Sequence, residues 1–482
     1  MQRSNTVLLS NARLNGQLVD LAIEDGVISE ISPATTAGLD LGGRWISPGL
    51  WDNHVHFSQW ALVQQRLDVS GATSAREAAE LVRTALAHAS EPPMPFVARG
   101  FRDGLWPDLP DAALLDAVEA VHPVVLVSGD LHTVWLNSPA LAIYGHAGHP
   151  TGVLREDEAF EVTRRIETID PLELDVRARA AAREAARNGV VGVVDLEMDW
   201  NLDTWQRRIE GGNDYLRVDF GIYTQHLDRA IELGLRTGQR INELLTVGNY
   251  KVLTDGSLNT RTAYCYDEYP DRPGEHGMLT MPPAELIPHL RKAVAAGIVP
   301  TVHAIGDHAV SLVLDAFEQL GSGGRMEHAQ LVADKDFARF AELSVVASVQ
   351  PDHAMDDRDV AELYWAGRTG RTFALRSLLD AGAQLAMGSD APVSPLDPWI
   401  TAAAAVGRTR GDREPWHPEQ RITTAEALAA STRTTVAVGQ PADLIVTDVD
   451  PLAANHVGNH ARFAIVNGSE LDSRCPGSAR DD

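Results

Sequence analysis

The chain has 482 residues, too many for one small core and enough for a large domain with a smaller partner. Hydrophobic residues make up 44%, which excludes disorder as the default state. With 41 basic against 67 acidic residues the net charge is −26, and such a surface repels phosphate backbones, so nucleic-acid partners are disfavoured. Cys265 and Cys475 are the two cysteines, far apart in sequence; this is no disulfide framework and fits a reducing compartment. Met1–Asn5 leads straight into a strand-like run without a basic and then apolar leader. No apolar run reaches the roughly 18 residues of a membrane span. The expectation is a soluble, cytoplasmic protein that acts on a small molecule, without nucleic acid or membrane; homo-oligomers are compatible with it.

In chain order, residues 6–46 read as short strands. Thr6–Leu9 and Leu18–Glu24 are apolar runs, and Asp25-Gly26 is a hairpin signal before Val27–Ile31. Such a unit has no core of its own. Runs of the same character return at Ala442–Val446 and Phe463–Gly468, so the two ends are expected to complete one sandwich. Between them strand-like and helix-like runs alternate, the pattern of a parallel α/β fold. Eight strand candidates follow in order: the His54 stretch, Val190–Asp195, Val218–Tyr223, Asn249–Thr254, Val299–Ala304, Arg325–Ala329, Val345–Gln350 and Gln384–Ser389. Helices are expected at Pro283–Ala296, Val310–Leu320 and Arg371–Ala381 among others.

Eight such units imply a (β/α)8 TIM barrel. Residues 58–189 exceed a single crossover. They hold strand-like Phe96–Arg99 and Val124–Ser128 and helical Ser74–Ala89 and Asp170–Asn188, and most of them read as an insertion over the barrel mouth. The expected division is 1–48 and 438–482 for the terminal β-sandwich and tail, and 49–437 for the barrel. Ser473–Asp482 reads as a loose tail.

The chemistry concentrates in Trp51-Asp52-Asn53-His54-Val55-His56-Phe57, entered through Pro48-Gly49. Strand side chains alternate, so His54 and His56 share a face and can grip one metal. Two histidines are too few for a site. Further candidates stand at or near later strand ends: Lys251 in Tyr250–Ser257, His303 in Val299–Ala304, His328 in Arg325–Ala329, and Asp390 after Leu385–Ser389. Barrel strand ends converge on one mouth, so the six form one coherent set.

That set resembles the amidohydrolase superfamily, and in particular the YtcJ-like branch of amidohydrolase family 3. Asp130–Ser138, Lys251–Ser257 and His303–Asp307 are similar to stretches of that branch. The resemblance covers nearly the whole chain. It implies that His54, His56 and Asp390 bind the more buried metal, that His303 and His328 bind a second, and that Lys251 is carboxylated and bridges both. A divalent metal is implied, zinc by expectation, as one or two ions. An ammonium has no lone pair, so Lys251 can be a ligand only when deprotonated or carboxylated. The activity implied is hydrolysis of a non-peptide C–N bond, in an amide or N-acyl or N-formyl amine, by metal-activated hydroxide with Asp390 as proton shuttle.

The runner-up enzyme is a mononuclear deaminase of the same superfamily. Its relatives lack the strand-four lysine and carry Glu soon after the strand-five histidine, where this chain has Lys251 and Asp307. A non-catalytic binding protein on this scaffold would have lost a ligand, and all six positions are filled. His132 and Trp135, in the insertion, read either as substrate-binding residues presented by a lid or as that lid's internal packing. His308 reads as a supporting or helix-surface residue, and Cys265 as a buried apolar residue. One departure from the family is the short turn Gly439-Gln440-Pro441 before Ala442-Asp443.

Overall fold

The computed structural model describes residues 6–453 apart from 36–37, 65, 89–94, 167–168 and 271, together with the backbone of 461–466 and 469–470. The tail expected at Ser473–Asp482, and Cys475 within it, lie outside the described residues.

Both ends of the chain join one sheet. Trp45–Pro48 pairs antiparallel with Leu444–Thr447, so Ile46 stands opposite Val446. The hairpin at Asp25-Gly26 forms as its sequence requires, with positive φ at both residues. Leu9, Leu21, Ile23, Ile28, Ile46, Leu444 and Val446 bury together beneath this sheet. Neither end holds enough apolar surface to form it alone. The short turn before the last strand is stitched to the hairpin, with Gly439 N donating to Ile28 O and Ala442 N to Gly26 O.

The central sheet has eight parallel strands: Leu50–Val55, Val190–Asp195, Arg217–Tyr223, Leu245–Leu253, Pro300–Ala304, Gly324–His328, Val345–Val349 and Leu385–Met387. Each lies where the sequence placed one. Val190–Asp195 and Val345–Val349 are largely apolar without alternation, because strands buried on both faces need none. The last strand returns to the first through a parallel bridge between Val55 and Ala391. At this seam Asp390 N donates to His54 O at 2.7 Å and His56 N to Ala391 O at 2.8 Å. Only glycine fits at 388, where a Cβ would sit 2.6 Å from His54 N.

Helices cover the barrel. In Asp307–Leu320 the buried residues Val310, Val313, Leu314 and Phe317 recur at three- and four-residue spacing. This helix starts three residues before the expected Val310. The expected helix Arg371–Ala381 shrinks to Leu375–Asp380, because Phe373 adopts φ 49° and gives its N–H to Gln330 O. The alanine stripe of Pro171–Arg187 (Ala178, Ala181, Ala182, Ala185) packs among the barrel's core residues.

Residues ahead of that helix build a second, five-stranded sheet in the order Val153–Arg155, Thr133–Leu136, Val124–Ser128, Phe96–Phe101, Leu67–Asp68. Three of these strands had no counterpart in the sequence reading: Leu67–Asp68, Thr133–Leu136 and Val153–Arg155. They are two to four residues long, shorter than any periodic signal. Alternate residues of Val124–Ser128 serve different cores, Val124 and Leu126 on one face, Val125 and Val127 on the other.

Candidate metal centre

Strand order carries the site residues to one place. His54 is the last residue but one of the first barrel strand and His56 follows that strand; Lys251, His303 and His328 sit on the fourth, fifth and sixth, and Asp390 follows the eighth. All six line one cavity of about 1180 Å³. Asp390 Oδ1 lies 3.3 Å from His54 Nε2 and 3.4 Å from His56 Nε2. Donor atoms of His54, His328 and Asp390 all fall within 4.8 Å of one another. The tightest group thus joins His328 to His54 and Asp390, whereas the resemblance had paired it with His303. The His303 ring nonetheless meets His328 edge to face, 4.5 Å between centroids. Lys251 is 2% exposed.

His328 and Asp390 hold left-handed backbone, φ 73° and 57°. This conformation is costly for residues with a Cβ and clusters where function constrains the chain. Here it turns the chain sharply at the barrel rim just where a donor is needed.

Electrostatics favours the cation-binding forms of His54 and His328, whereas at His56 the Asp390 hydrogen bond outweighs burial and raises the pKa. Burial pushes His54 down to about 4, and burial beside His303 drives His328 well below the usual histidine range. Both imidazoles are therefore neutral, with lone pairs to offer. Burial alone would raise Asp390, yet its carboxyl is held well below the usual range, the hydrogen bond with His56 favouring the ionised form. Burial lowers Lys251 to about 8 against the pull of Glu327 and Asp390, so a neutral amine is accessible near physiological pH. Several buried imidazole nitrogens find no hydrogen-bond partner among the described residues: His56 Nδ1, His303 Nε2, His328 Nδ1 and His353 Nε2. Buried polar atoms are normally paired. Unpaired imidazole nitrogens on residues that line one cavity with Asp390 fit a divalent cation.

The whole chain agrees with this site. The model of the amidohydrolase family matches residues 37–469. The chain belongs to the amidohydrolase family. It is 31% identical over 460 residues to the protein LONG AFTER FAR-RED 3 of Arabidopsis thaliana, covering 86% of this chain and 79% of that one. It is 25% identical to YtcJ of Bacillus subtilis (strain 168), which is named as an amidohydrolase, over 92% of this chain and 94% of the other. An N-substituted formamide deformylase of Arthrobacter pascens is also 25% identical, over 86% and 85% of the two chains. Among solved structures, an uncharacterized metal-dependent hydrolase from Pyrococcus horikoshii OT3 superposes with a TM-score of 0.80 at 25% identity, covering 95% of this chain and all of that one.

Within this amidohydrolase, four supporting residues had no role in the sequence reading. Glu327, 0% exposed, lies 2.7 Å from His54 Nδ1 and accepts from Thr301 and Arg325. It fixes the His54 ring so that Nε2 faces Asp390. Asp52 accepts from the backbone N–H groups of His54 and Ser389 and ties the first strand to the eighth. Asp255 accepts from Ile305 N and Gly306 N and stands 3.4 Å from His303 Nε2. His353, at the start of the helix after the seventh strand, brings Nε2 to 3.9 Å from Asp390 Oδ2. A signal existed for two of them: Glu327 and Asp52 are carboxylates within barrel strands buried on both faces, and buried charges need partners.

The insertion divides the remaining pair. His132 lines the cavity, its Nδ1 2.8 Å from Glu156 Oε2. Burial opposes its charge, but Glu156 and Asp130 prevail and raise its pKa. Asp130 accepts from Ser257, and Glu156 from Thr262, so the insertion is bonded to the loop that follows Lys251. Trp135, read either as a substrate contact or as the lid's packing, is 0% exposed, sits edge to face with Phe101 inside the insertion's core and does not line the cavity. On a strand covered on both faces an indole fills a core, and Trp135 is three residues beyond the one that reaches the cavity. His308 stacks between Tyr264 and Tyr266, away from the centre, and burial pushes the Cys265 thiol up to about 12. Among the described residues no helix is long and apolar enough to cross a membrane.

Proposed function

We propose that the chain hydrolyses a C–N bond other than a peptide bond, in a small amide or N-acyl or N-formyl amine. His54, His56, Lys251, His303, His328 and Asp390 would hold one or two divalent metal ions, zinc by expectation. The observation that carries this reading is the approach of Asp390 Oδ1 to both His54 Nε2 and His56 Nε2, with His328 beside them. When bound, the metal supplies Lewis acidity, drawing the pKa of water towards neutrality and polarising a carbonyl oxygen. Asp390 would take the proton of the attacking water and deliver it to the departing nitrogen, which cannot leave as an amide anion. His54 is kept neutral by burial and aimed by Glu327. Lys251, with its depressed pKa, would present a neutral amine to carbon dioxide, losing one proton as the carboxylated side chain forms. The relative named for deformylation of N-substituted formamides supports N-formyl amines as the first substrates to try.

The deaminase reading is weaker. Asp307, in the region where such enzymes carry an acid, spends its carboxylate on Tyr266 N and faces Arg371. Metal analysis of the purified protein, followed by a screen of N-formyl and N-acyl amines for released amine, tests the proposal. One or two equivalents of metal, and turnover that a chelator abolishes, are expected. A protein that binds no divalent metal, or a metal-loaded one that deaminates aromatic amines and cleaves no amide, would overturn it.

A further inference from the structure

The cavity reaches well past the metal centre, and its carboxylates differ in how they are satisfied. Glu197 accepts backbone N–H groups from Gln59 and Met198. Asp130 accepts from Ser128 Oγ, His132 N and Ser257 Oγ. Asp357 stands apart. Among the described residues its one hydrogen-bond donor is Gln330, whose Nε2 reaches Oδ2 at 3.1 Å. Both residues line the cavity. The other acids on the helix His353–Tyr364 are occupied elsewhere: Asp356 pairs with Arg102 and Arg410, Asp359 with Arg413, and Glu362 accepts from Trp416. An ionised carboxylate has room for about four hydrogen bonds, so Asp357, half-buried at the cavity wall with a single protein donor, has acceptor capacity that a ligand can fill. Burial pushes Asp357 up to about 6 although His353 and Arg102 pull the other way.

Position gives this carboxylate a purpose. Asp357 is four residues after His353, so the two share a helix face one turn apart, about 5.4 Å along the axis. His353 Nε2 in turn lies 3.9 Å from Asp390 Oδ2. The free side of Asp357 therefore opens on the cavity one helical turn outward from the reacting centre. We infer that Asp357, oriented by Gln330, is the specificity subsite for a protonated amino group on the substrate, carried a few bonds away from the scissile C–N bond. The inference rests on the hydrolase reading for what the substrate undergoes, but not for what the subsite binds. The ammonium donates to Asp357 and replaces the donors that the protein leaves out; this interaction is made at a distance from the chemistry, so it acts on substrate capture more than on turnover.

Two measurements separate the subsite from the reaction. Calorimetry on the metal-loaded full chain at about pH 8, where an acid of this kind is ionised, compares butylammonium with butanol. Wild type should prefer butylammonium by about tenfold or more, the scale of a hydrogen bond between charged groups. Asp357→Asn and Asp357→Ser should both lose that preference, while Asp359→Asn, at the surface on the same helix, keeps it. Kinetics then compares aminobutyl formamide with butyl formamide, and wild type should favour the former about tenfold through KM. Equal binding of the two probes by wild type, or a preference that survives both Asp357 substitutions, overturns the subsite. Selective butylammonium binding without hydrolysis of either formamide, or of the corresponding N-acyl amines, leaves the subsite standing and sinks the hydrolase reading instead.

Discussion

Two walls enclose the cavity, and they differ in how their residues got there. The barrel wall gives His54, His56, Lys251, His303, His328 and Asp390, each at or near the end of a strand. Closure of the sheet through Val55 and Ala391 makes their convergence a consequence of topology. The insertion wall gives His132 from just before a strand of four residues packed on both faces, where neighbouring positions serve opposite cores. On the barrel wall, position in the sequence translates into position in space. On the insertion wall it does not, and Trp135, three residues from His132, is entirely withdrawn from the cavity. Substitutions on the two walls should therefore separate cleanly into losses of chemistry and losses of stability.

The largest effect is expected at Asp390. Asp390→Asn keeps the shape and an oxygen for metal but cannot carry a proton, so turnover should fall by about 10²–10⁴ while metal content stays near normal. Near-normal turnover would remove Asp390 from the proton path. On the other wall, Trp135→Ala should lower unfolding free energy by about 3–5 kcal/mol in a urea titration, the usual cost of emptying a buried aromatic site. Its metal content should not change, and lost metal would show that the walls are not independent. A smaller change sharpens the comparison inside the barrel. Glu327→Gln removes the charge behind His54 Nδ1 and should weaken metal affinity about 10–100-fold in a chelator competition, with the fold intact by circular dichroism. Unaltered affinity would mean that Glu327 answers only to Arg325 and Thr301.

The same contrast explains what could be read from the chain alone. The barrel strands announced themselves as short strand-like runs alternating with helix-like ones, and the hairpin at Asp25-Gly26 marked the start of the terminal sheet. His54, His56 and Asp390, set apart in the sequence as candidate ligands, come together at one end of the barrel. Asp255, Glu327 and His353 were in view but had no visible role, since their function depends on which strand or helix lies beside them. Glu327 reaches across from the sixth strand to the first, a neighbour that exists only once the fold brings both to the rim. Asp357 is more hidden still, because the sequence cannot show that its helix neighbours Asp356 and Asp359 are paired and it is not.

The central claim is that the converging barrel residues hold a metal. Anomalous diffraction from crystals of the zinc-loaded protein, collected on either side of the zinc absorption edge, tests it most directly. The account predicts one or two peaks at the barrel mouth, bounded by His54, His56, His328 and Asp390, with zinc–nitrogen distances of about 2.0–2.1 Å. A zinc-loaded crystal with no peak there, or with its only peak on the protein surface, would contradict it.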